Sequence, residues 1–384
     1  HLVVAAMHII IIGAVCCCAC VAGVRTRIPP LRGARSGSVY SRATSDAAQA
    51  ELRTVEELRA GIAGFYDSSS GVWEKVWGEH MHHGFYDDSR KDHVQAQVDM
   101  IDKVLEWSGA DDAPPTSVLD VGCGIGGSSR HIARKYGSSG IGITLSPVQA
   151  ARAQQLSNDQ GLGEALSFQV ADALRMPFAD NSFDLIWSME SGEHMPDKQQ
   201  FVSELARVCK PGGRVIVVAW CHRDLEPGEQ ALAMREERLL RTINRAYFLP
   251  RWCSVADYMR YASEQGLSEI KRDDWTDKVK RFWPAVILSA LRPRAFVGLL
   301  RSGTKTIRGA LVMPLMIRGQ RRGLVKFGLW TGRKTSSPSS LPSPVPPTPL
   351  SMLVPPPSAP PVPSSPIAVT GAAAPDGFKW GGTF

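Results

Sequence analysis

The hydrophobic positions in the middle of the chain fall into short apolar runs, separated by longer segments in which apolar residues recur every three or four positions. The short runs predict β-strands and the spaced segments predict amphipathic helices. The predicted strands are Val118–Val121, Ile141–Leu145, Leu166–Val170, Phe183–Ser188 and Arg214–Trp220. Because these strands alternate with helices, the pattern predicts a doubly wound α/β fold with a mostly parallel sheet.

Capping residues indicate where several helices begin and end. Ser146 suits an N-cap and Pro147 suits the first helical position, so a helix is expected to begin there. A helix over Lys198–Val208 is expected to stop at Lys210-Pro-Gly-Gly213. Two further amphipathic segments predict helices before the first strand, at Glu51–Tyr66 and at Asp92–Trp107. The first of these predicts a helical lid at the N-terminal side of the domain.

The segment Leu225–Lys334 is less periodic, apart from a late strand predicted at Leu324–Thr331. Its aromatic residues include Tyr247, Phe248, Trp252, Trp275, Phe282 and Trp283. They are interpreted either as core or as the wall of a site for a hydrophobic substrate. Helical insertions in this segment are expected to cap such a substrate.

The N-terminal end differs in composition from the middle of the chain. Leu2–Val24 is almost wholly apolar and is long enough to cross a bilayer. Arg and Ser residues follow it, and no acidic residue appears before Asp46. This composition predicts an organelle transit peptide, with a secretory signal or a membrane anchor as alternatives. Because the first residue is His1, we expect either a fragment or an extended reading frame with a true start at Met7.

The C-terminal end is rich in Pro, Ser and Ala from Ser336 onward. Such a composition cannot bury a core, so this tail is expected to be disordered or polyproline-like. The predicted division of the chain is a targeting segment at 1–50, a folded domain at 51–334 and a tail at 335–384.

Composition narrows the possible partners. The chain is 43% hydrophobic with a mild net charge of +7, and it has no stripe of interleaved basic and aromatic residues, so nucleic acid is not expected as a partner. The eight cysteines show neither a disulfide framework nor a zinc spacing. His80, His82 and His83 form an H-x-H-H pattern that is not a recognised metal-ligand spacing. No metal is therefore expected, and Val72–Tyr86 is interpreted as a lid over a cofactor or an aromatic substrate.

A glycine-rich turn follows the first predicted strand. Gly122, Gly124 and Gly127 match the G-x-G-x-x-G spacing, which permits a tight turn and a close approach of backbone N–H groups to a ligand. The carboxylate of Asp120 just before the turn would repel a diphosphate and suits a cationic ligand. The second strand ends in Thr144, not in the acid that binds the ribose of NAD. These features favour S-adenosylmethionine (SAM) over a dinucleotide.

The carboxyl ends of the predicted strands carry polar residues, on the side where a doubly wound sheet binds ligands. They are Asp120, Thr144, Asp172, Glu190 and His222. Glu193 and His194 come shortly after the fourth strand and are expected on the same side as Glu190. A group that accepts a proton there would make an acceptor more nucleophilic.

Several longer segments carry a resemblance to a known family. They are Phe65-Tyr-Asp67, Trp77-Gly-Glu-His-Met-His-His-Gly-Phe-Tyr86, Asp120-Val-Gly-Cys-Gly-Ile-Gly-Gly-Ser-Ser-Arg130, Gly142-Ile-Thr-Leu-Ser-Pro-Val-Gln149, Ser188-Met-Glu-Ser-Gly-Glu-His-Met-Pro-Asp-Lys198 and Trp220-Cys-His-Arg-Asp-Leu225. Together they closely resemble the gamma-tocopherol methyltransferases of plants and algae, over about residues 52–334. The proline-rich tail departs from that family.

The resemblance implies a fold, a reaction and a location. The fold would be the Rossmann-like, seven-stranded sheet of class I SAM methyltransferases. SAM would methylate a ring carbon ortho to the phenol of gamma- or delta-tocopherol, which gives alpha- or beta-tocopherol. The substrate would be a hydrophobic prenylated phenol. The enzyme would reside in the chloroplast, at the periphery of the envelope or thylakoid membrane, where basic residues between Arg292 and Arg322 would meet anionic lipid or form a solvated face.

The family is also similar to sterol C-methyltransferases and cyclopropane fatty acid synthases, and this similarity implies roles for individual residues. Thr144 and Gln149 would hold the ribose of SAM, Asp172 would hold the adenine amino group, and three glycines would line the methionine moiety. Those glycines are Gly122, Gly124 and Gly126. The remaining positions assigned to the cofactor site are Asp120, Leu145, Ala173 and Ser188.

Glu190 and His194 align with an acid and a His of the sterol enzymes, and His194 is our first choice for a base. Tyr66 and His83 are also assigned to catalysis, and His82 and His222 are further candidates. Positioning of donor and acceptor could accelerate the reaction without any base.

Three other functions are compatible with parts of the sequence. The nearest is an N-methyltransferase of a small amine or alkaloid, in which Glu190 or Glu193 would bind the amine. A NAD-dependent oxidoreductase is disfavoured by Asp120 and Thr144. A SAM-binding protein that acts through its tail without catalysis has no support from the intact motifs.

Overall fold

The computed structural model describes residues 57, 74, 78–88, 91–284 and 304–335, without the side chains of 304–311. Several features predicted from the sequence lie outside the described residues. They are the apolar N-terminal run, most of the helix at Glu51–Tyr66, Tyr66 itself, the basic residues Arg292, Arg294 and Arg301, and the proline-rich tail. Within the described residues, no helix is both long enough and apolar enough to cross a membrane.

A seven-stranded sheet forms the centre of the described part of the chain. Its strands are β1 (Ser117–Val121), β2 (Ser139–Thr144), β3 (Leu166–Val170), β4 (Phe183–Met189), β5 (Cys209–His222), β6 (Leu267–Asp274) and β7 (Val325–Lys334). Their order is β3-β2-β1-β4-β5-β7-β6. Strands β1 to β5 pair in parallel, and β7 pairs antiparallel with both β5 and β6. The predicted doubly wound, mostly parallel, seven-stranded sheet is thereby confirmed.

Helices connect and cover these strands. They are α1 (His93–Ser108), α2 (Gly127–Tyr136), α3 (Pro147–Asp159), α4 (Lys198–Val208), α5 (Met234–Tyr247), α6 (Val255–Glu264), α7 (Thr276–Val279) and α8 (Thr304–Arg321), with a 3-10 turn at Gly192–His194. The Ser146 side chain accepts a hydrogen bond from the Gln149 N–H and Pro147 is the first residue of α3, as predicted. Asp92 caps α1 in the same way through Val94 and Gln95.

Apolar side chains of the central strands alternate between two faces, and each face is buried. Trp187 and Ile216 face the layer that contains α1 and α5, whereas Ile186 and Val215 face the layer that contains α4 and α6. All four residues are completely or almost completely buried. Burial of each such side chain stabilises the fold by about 1.5–3 kcal/mol. A continuous apolar run is what this two-sided burial requires, which explains why these strands could be predicted.

The start of β5 was predicted wrongly. The run Lys210-Pro-Gly-Gly213 was expected to lie outside the sheet, yet β5 begins at Cys209. Phe183 pairs with Cys209, and the next paired residue of β4, Leu185, already faces Arg214. The intervening residues therefore form an irregularity within the strand, where Pro211 supplies no N–H to the ladder.

Helical insertions were expected between Leu225 and Lys334 without bounds, and the described residues there form four helices, α5 to α8, together with strand β6, which was missed. Strand β6 lies at the edge of the sheet and is polar over most of its length, so it has no apolar run. Charged residues on an edge strand discourage pairing with other chains. Trp252, Trp275, Phe282 and Trp283 are buried in the core, which favours the first of the two interpretations offered for these aromatic residues.

Candidate active site

The glycine turn joins β1 to α2. Gly122 has φ of +81°, and a Cβ added there would lie 2.3 Å from the Cβ of Ser191. Gly126 has φ of +79° and occupies the N-cap position of α2. These two positions therefore require glycine for both conformation and space. Gly127 is needed for a different reason, because a Cβ there would lie 2.4 Å from the carbonyl oxygen of Glu79.

A cleft of about 940 Å³, open to solvent, lies at the carboxyl ends of β1, β2, β3 and β4. The predicted site residues that line it are Asp120, Gly122, Gly124, Thr144, Leu145, Gln149, Asp172, Ala173, Glu190 and His194. Gly126, Ser188 and His83 are not among the lining residues. Gly126 shapes the turn instead, and Ser188 shares a 2.7 Å hydrogen bond with the hydroxyl of Ser191, which does line the cleft.

One wall of the cleft is a segment that we call the strap, Gly78–Tyr86. Its residues Glu79, His80, Met81 and His82 line the cleft, as expected of the predicted lid. The Gln97 side chain donates 2.8 Å hydrogen bonds to the carbonyl oxygens of His80 and His82. The strap is thereby fixed against α1.

The side chain of Glu79 fastens the strap to the opposite side of the cleft. It accepts a 2.8 Å hydrogen bond from Arg130 on α2 and two from Gln160. Arg130 is completely buried and also donates to the carbonyl oxygen of Ile125. Neither Gln97 nor Arg130 was predicted from the sequence as a residue of the site. A signal for Gln97 existed, since this polar residue lies one turn before the apolar Met100 and Ile101 on the inner face of α1.

Asp120 places a buried carboxylate at the end of β1. Burial raises the pKa of this carboxyl to about 6, although hydrogen bonds from Ser129 and the charge of Arg130 act in the opposite direction. The Ser129 hydroxyl lies 2.5 Å from the carboxylate. At neutral pH the group is still ionised, and a bound cation would stabilise that form further. The chemistry fits the predicted cationic ligand.

Neutral hydrogen-bonding groups lie at the end of β2. The Thr144 hydroxyl donates to the side-chain oxygen of Gln149 at 2.9 Å, and it accepts a bond from the Ser146 N–H. The side-chain nitrogen of Gln149 lies 3.7 Å from the sulfur of Met81 in the strap. Asp172 follows β3, and its carboxylate accepts a bond from the Leu174 N–H. This arrangement suits the hydroxyl groups of a nucleoside, as predicted for the ribose.

Glu190 is held in an unusual position between the cleft and the strap. It has φ of 51°, in the left-handed region, and its carboxylate accepts three N–H bonds. Two come from His83, from the backbone N–H at 2.5 Å and from Nδ1 at 2.6 Å, and the third comes from Trp220 at 3.3 Å. Burial acts to raise the pKa of Glu190, but His83 outweighs it and the pKa lies below its usual value. Glu190 is therefore a carboxylate.

The contact with Glu190 fixes how the His83 ring is protonated. A carboxylate only accepts, so Nδ1 of His83 carries a proton and Nε2 is the acceptor in the neutral ring. Nε2 is buried and has no hydrogen-bond partner among the described residues. The ring is packed against four aromatic side chains, namely Phe282, Trp220, Trp283 and Phe327. A carboxylate-oriented imidazole beside aromatic rings can take a proton from a hydroxyl group of an aromatic ligand.

His194, the first choice for a base, lines the cleft at the end of the 3-10 turn. Burial and the neighbouring Lys198 lower its pKa to about 4, against the influence of Glu190. The Lys198 ammonium donates to the backbone carbonyls of Glu193 and Met195 and so fixes this turn. Burial, assisted by the charge of Glu190, raises the pKa of Glu193 to about 8.

Two further candidates for catalysis, Tyr66 and His222, are not found in the cleft: Tyr66 is outside the described residues. His222 does not line the cleft, and its Nδ1 donates to the carbonyl oxygen of Arg223 at 2.7 Å. In the part of the chain that the structure describes, no group of three His, Cys, Asp or Glu residues could hold a metal ion.

Comparison with known proteins identifies the family. A family model described as a methyltransferase domain matches residues 119–217. A rice protein named probable tocopherol O-methyltransferase, chloroplastic, is 59% identical over 284 residues, which are 72% of this chain and 78% of that protein. The chain belongs to the tocopherol methyltransferase family. A tocopherol O-methyltransferase of Arabidopsis thaliana, also named chloroplastic, is 53% identical over 75% of this chain and 86% of that protein.

Other matches bear on the alternatives and on the fold of this tocopherol methyltransferase. The norajmaline N-methyltransferase of Rauvolfia serpentina is 36% identical over 73% of the chain and 99% of that protein. Because the two tocopherol relatives are 59% and 53% identical, the N-methyltransferase alternative is not favoured. A crystal structure of a putative sarcosine dimethylglycine methyltransferase from Galdieria sulphuraria matches with a TM-score of 0.63 and 25% identity, over 71% of this chain and 98% of that one. The predicted family, the class I fold and the SAM-dependent methyltransferase activity are confirmed.

Proposed function

We propose that this tocopherol methyltransferase transfers the methyl group of SAM to a ring carbon of gamma-tocopherol, with delta-tocopherol as a second acceptor. The products would be alpha- and beta-tocopherol, in the last step of vitamin E synthesis. Two relatives named for tocopherol methylation, at 59% and 53% identity, support the acceptor class. The geometry of the site supports the chemistry.

The residues of the cleft fit SAM. Asp120 supplies an anion for a ligand with a sulfonium and an ammonium group, and Thr144 and Gln149 supply neutral partners for its ribose hydroxyls. Asp172 after β3 is assigned to the adenine amino group, and Gly122 and Gly124 to the methionine moiety. SAM supplies an electrophilic methyl group, and the electron pair of its C–S bond stays on sulfur when the methyl group is transferred.

The observation that carries the proposal is the Glu190–His83 pair. Nε2 of His83 accepts the proton of the phenolic hydroxyl, and the Glu190 carboxylate stabilises the imidazolium that results. The electron-rich phenolate ring then forms a carbon–carbon bond to the methyl group, while the pair of the broken C–S bond stays on sulfur. Loss of the ring proton to solvent restores the aromatic phenolate, and the His83 imidazolium then returns its proton to the phenolic oxygen. The proposal therefore assigns catalysis to Glu190, which lines the cleft, and to His83, which lies behind Glu190, while His194 lines the cleft without a proposed proton transfer.

The two relatives are named O-methyltransferases, so the test distinguishes methylation of a ring carbon from methylation of the phenolic oxygen. The full chain is incubated with methyl-labelled SAM and gamma-tocopherol in detergent, with an alkaloid amine in a parallel reaction. We expect label in alpha-tocopherol, which retains a free phenol and is oxidised at a low potential. Label in a methyl ether, which lacks that phenol, would move the reaction to oxygen. Label only in the amine would show that the acceptor is an amine and not a tocopherol.

We also place the enzyme in the plastid, at a membrane surface. The two tocopherol relatives are named chloroplastic, which supports the compartment. Arg318, Arg321 and Arg322 are exposed at the end of α8 and supply positive charge for anionic headgroups. In a flotation assay, the protein should rise with anionic vesicles at low salt and should separate from them at high salt. Equal flotation with neutral vesicles would contradict a role for these arginines.

A further inference from the structure

His82 has one ring nitrogen bonded to the backbone and one nitrogen left for a ligand. Nδ1 lies 2.9 Å from the carbonyl oxygen of His83, and since a carbonyl only accepts, Nδ1 carries the proton. Nε2 is then the acceptor of the neutral ring. It is buried and has no hydrogen-bond partner among the described residues, although His82 lines the cleft. An unpaired buried acceptor is costly unless a ligand satisfies it.

The ring is held in place and kept neutral. His82 is 6% exposed, and Gln97 binds its carbonyl oxygen at 2.8 Å. Burial lowers the pKa of His82 in spite of the nearby Glu190 carboxylate, and burial lowers the pKa of the neighbouring His80 to about 3. Two uncharged imidazoles beside the cleft do not repel a cationic ligand, as protonated rings would.

The course of the strap places His82 near the glycine turn. The strap crosses that turn closely, since a Cβ added to Gly127 would lie 2.7 Å from Nδ1 of His80, and one added to Gly124 would lie 3.4 Å from the sulfur of Met81. Thr144 and Gln149, which suit a ribose, follow β2, whereas Asp120 and the glycines of the turn are assigned to the cationic methionine moiety. The amino-acid half of a bound SAM would therefore extend towards the turn and His82.

We propose that Nε2 of His82 accepts a hydrogen bond from the amino group of SAM, which makes His82 a cofactor-binding residue. The identity of this ligand rests on the proposed function. An ammonium group brings three N–H donors and no acceptor. Asp120 and Glu190 supply negative charge at the cleft, and His82 supplies a neutral acceptor with a fixed direction.

Two substitutions of His82 separate the roles of its two nitrogens. His82→Asn keeps a donor where Nδ1 now bonds the His83 carbonyl but removes the acceptor at the position of Nε2. His82→Gln places an amide at the position of Nε2 and so retains an acceptor. Each full-length variant is titrated calorimetrically with S-adenosylhomocysteine, which has the amino group, and with 5′-methylthioadenosine, which lacks the amino-acid half.

We expect His82→Asn to weaken S-adenosylhomocysteine binding at least about tenfold, because a hydrogen bond to a charged group is lost. The same variant should bind 5′-methylthioadenosine unchanged, and His82→Gln should stay within about threefold of the parent for both ligands. His222→Asn is the matched control, since His222 makes the same ring-to-carbonyl contact outside the cleft. It should change neither affinity.

Equal weakening of both ligands by His82→Asn would indicate general damage to the cleft and overturn the proposal. An unchanged affinity for S-adenosylhomocysteine with a raised KM for gamma-tocopherol would assign Nε2 to the phenol and overturn it as well. The titrations need no methyl acceptor. A failure of tocopherol methylation would therefore show separately in the activity assay and leave the binding comparison intact.

Discussion

Two segments of the molecule bring an imidazole to Glu190, and they differ in what surrounds it. The strap supplies His83, which touches the carboxylate through both its backbone N–H and Nδ1. The 3-10 turn after β4 supplies His194, whose pKa burial and Lys198 lower to about 4. His194 is four residues from Glu190 in sequence, whereas His83 is 107 residues away. Proximity in sequence did not decide the pairing.

The difference shows what makes a histidine a useful base. A base works best when its pKa lies near the operating pH and its charged form is stabilised. His83 has a carboxylate to stabilise an imidazolium, and His194 has a buried ammonium group nearby that opposes one. The strap, not the turn, therefore supplies the base in the proposed reaction.

Removal of the shared carboxylate should have the largest effect. Glu190→Gln is expected to lower kcat by about a thousandfold, because the His83 imidazolium loses its anion, Nδ1 can adopt the wrong tautomer, and the cleft loses a negative charge that His83→Asn leaves in place. Steady-state assays with SAM and gamma-tocopherol measure the change, and S-adenosylhomocysteine titration checks that the cleft survives. A kcat within tenfold of the parent would contradict the pairing as a catalytic unit.

Replacement of the strap histidine should rank second. His83→Asn keeps a donor towards Glu190 but removes Nε2, so kcat should fall about a hundredfold. A kcat within tenfold of the parent in the same steady-state assay would show that another residue takes the proton.

Acidification should act on the cofactor side of the cleft. The pKa of Asp120 is about 6 in the free enzyme, so the carboxylate is ionised above that pH and protonated below it. A cation binds the ionised form better, so the Kd for SAM should rise as the pH falls below about 6, by up to about tenfold per pH unit. Asp120→Asn should bind SAM weakly with no such dependence. A flat Kd in the parent between pH 7 and 5 would argue against contact between Asp120 and the cation.

The histidine of the 3-10 turn should show the smallest effect. His194→Ala is expected to lower kcat by less than tenfold with SAM affinity intact, since its pKa of about 4 makes it a weak base. The matched comparison is His83→Asn in the same assay. A loss for His194→Ala that equals or exceeds that of His83→Asn would reverse the ranking of the two segments.

The parts of the fold that could be predicted are those that a local pattern determines. Strand β3 and helix α4 have the predicted bounds, because an apolar run and a capped amphipathic stretch are local properties. Strand β6 was missed because an edge strand can be polar throughout. The bulge that begins β5 was missed because Pro and Gly usually end a strand.

The residues of the candidate site also divide into those that a local sequence pattern predicts and those that depend on the tertiary fold. The cleft residues Asp120, Thr144 and Glu190 lie at or just after the carboxyl ends of strands that could be predicted, and they do lie together. The pairing of Glu190 with His83 could not be predicted, because it depends on where the strap crosses the sheet. The aromatic rings around His83 come from β5, from β7 and from the segment after α7, which no sequence spacing relates.

The position of β7 has a consequence for how the enzyme is made. This strand, the last in the described part of the chain, lies between β5 and β6, and it pairs Phe327 with Trp220, two of the rings that flank His83. While the chain is still being synthesised, β5 is an open edge and β6 has no neighbour. The surroundings of the proposed base therefore form only after residue 334 has emerged from the ribosomal exit tunnel. Until then the apolar edge of β5 is exposed and can pair with other chains.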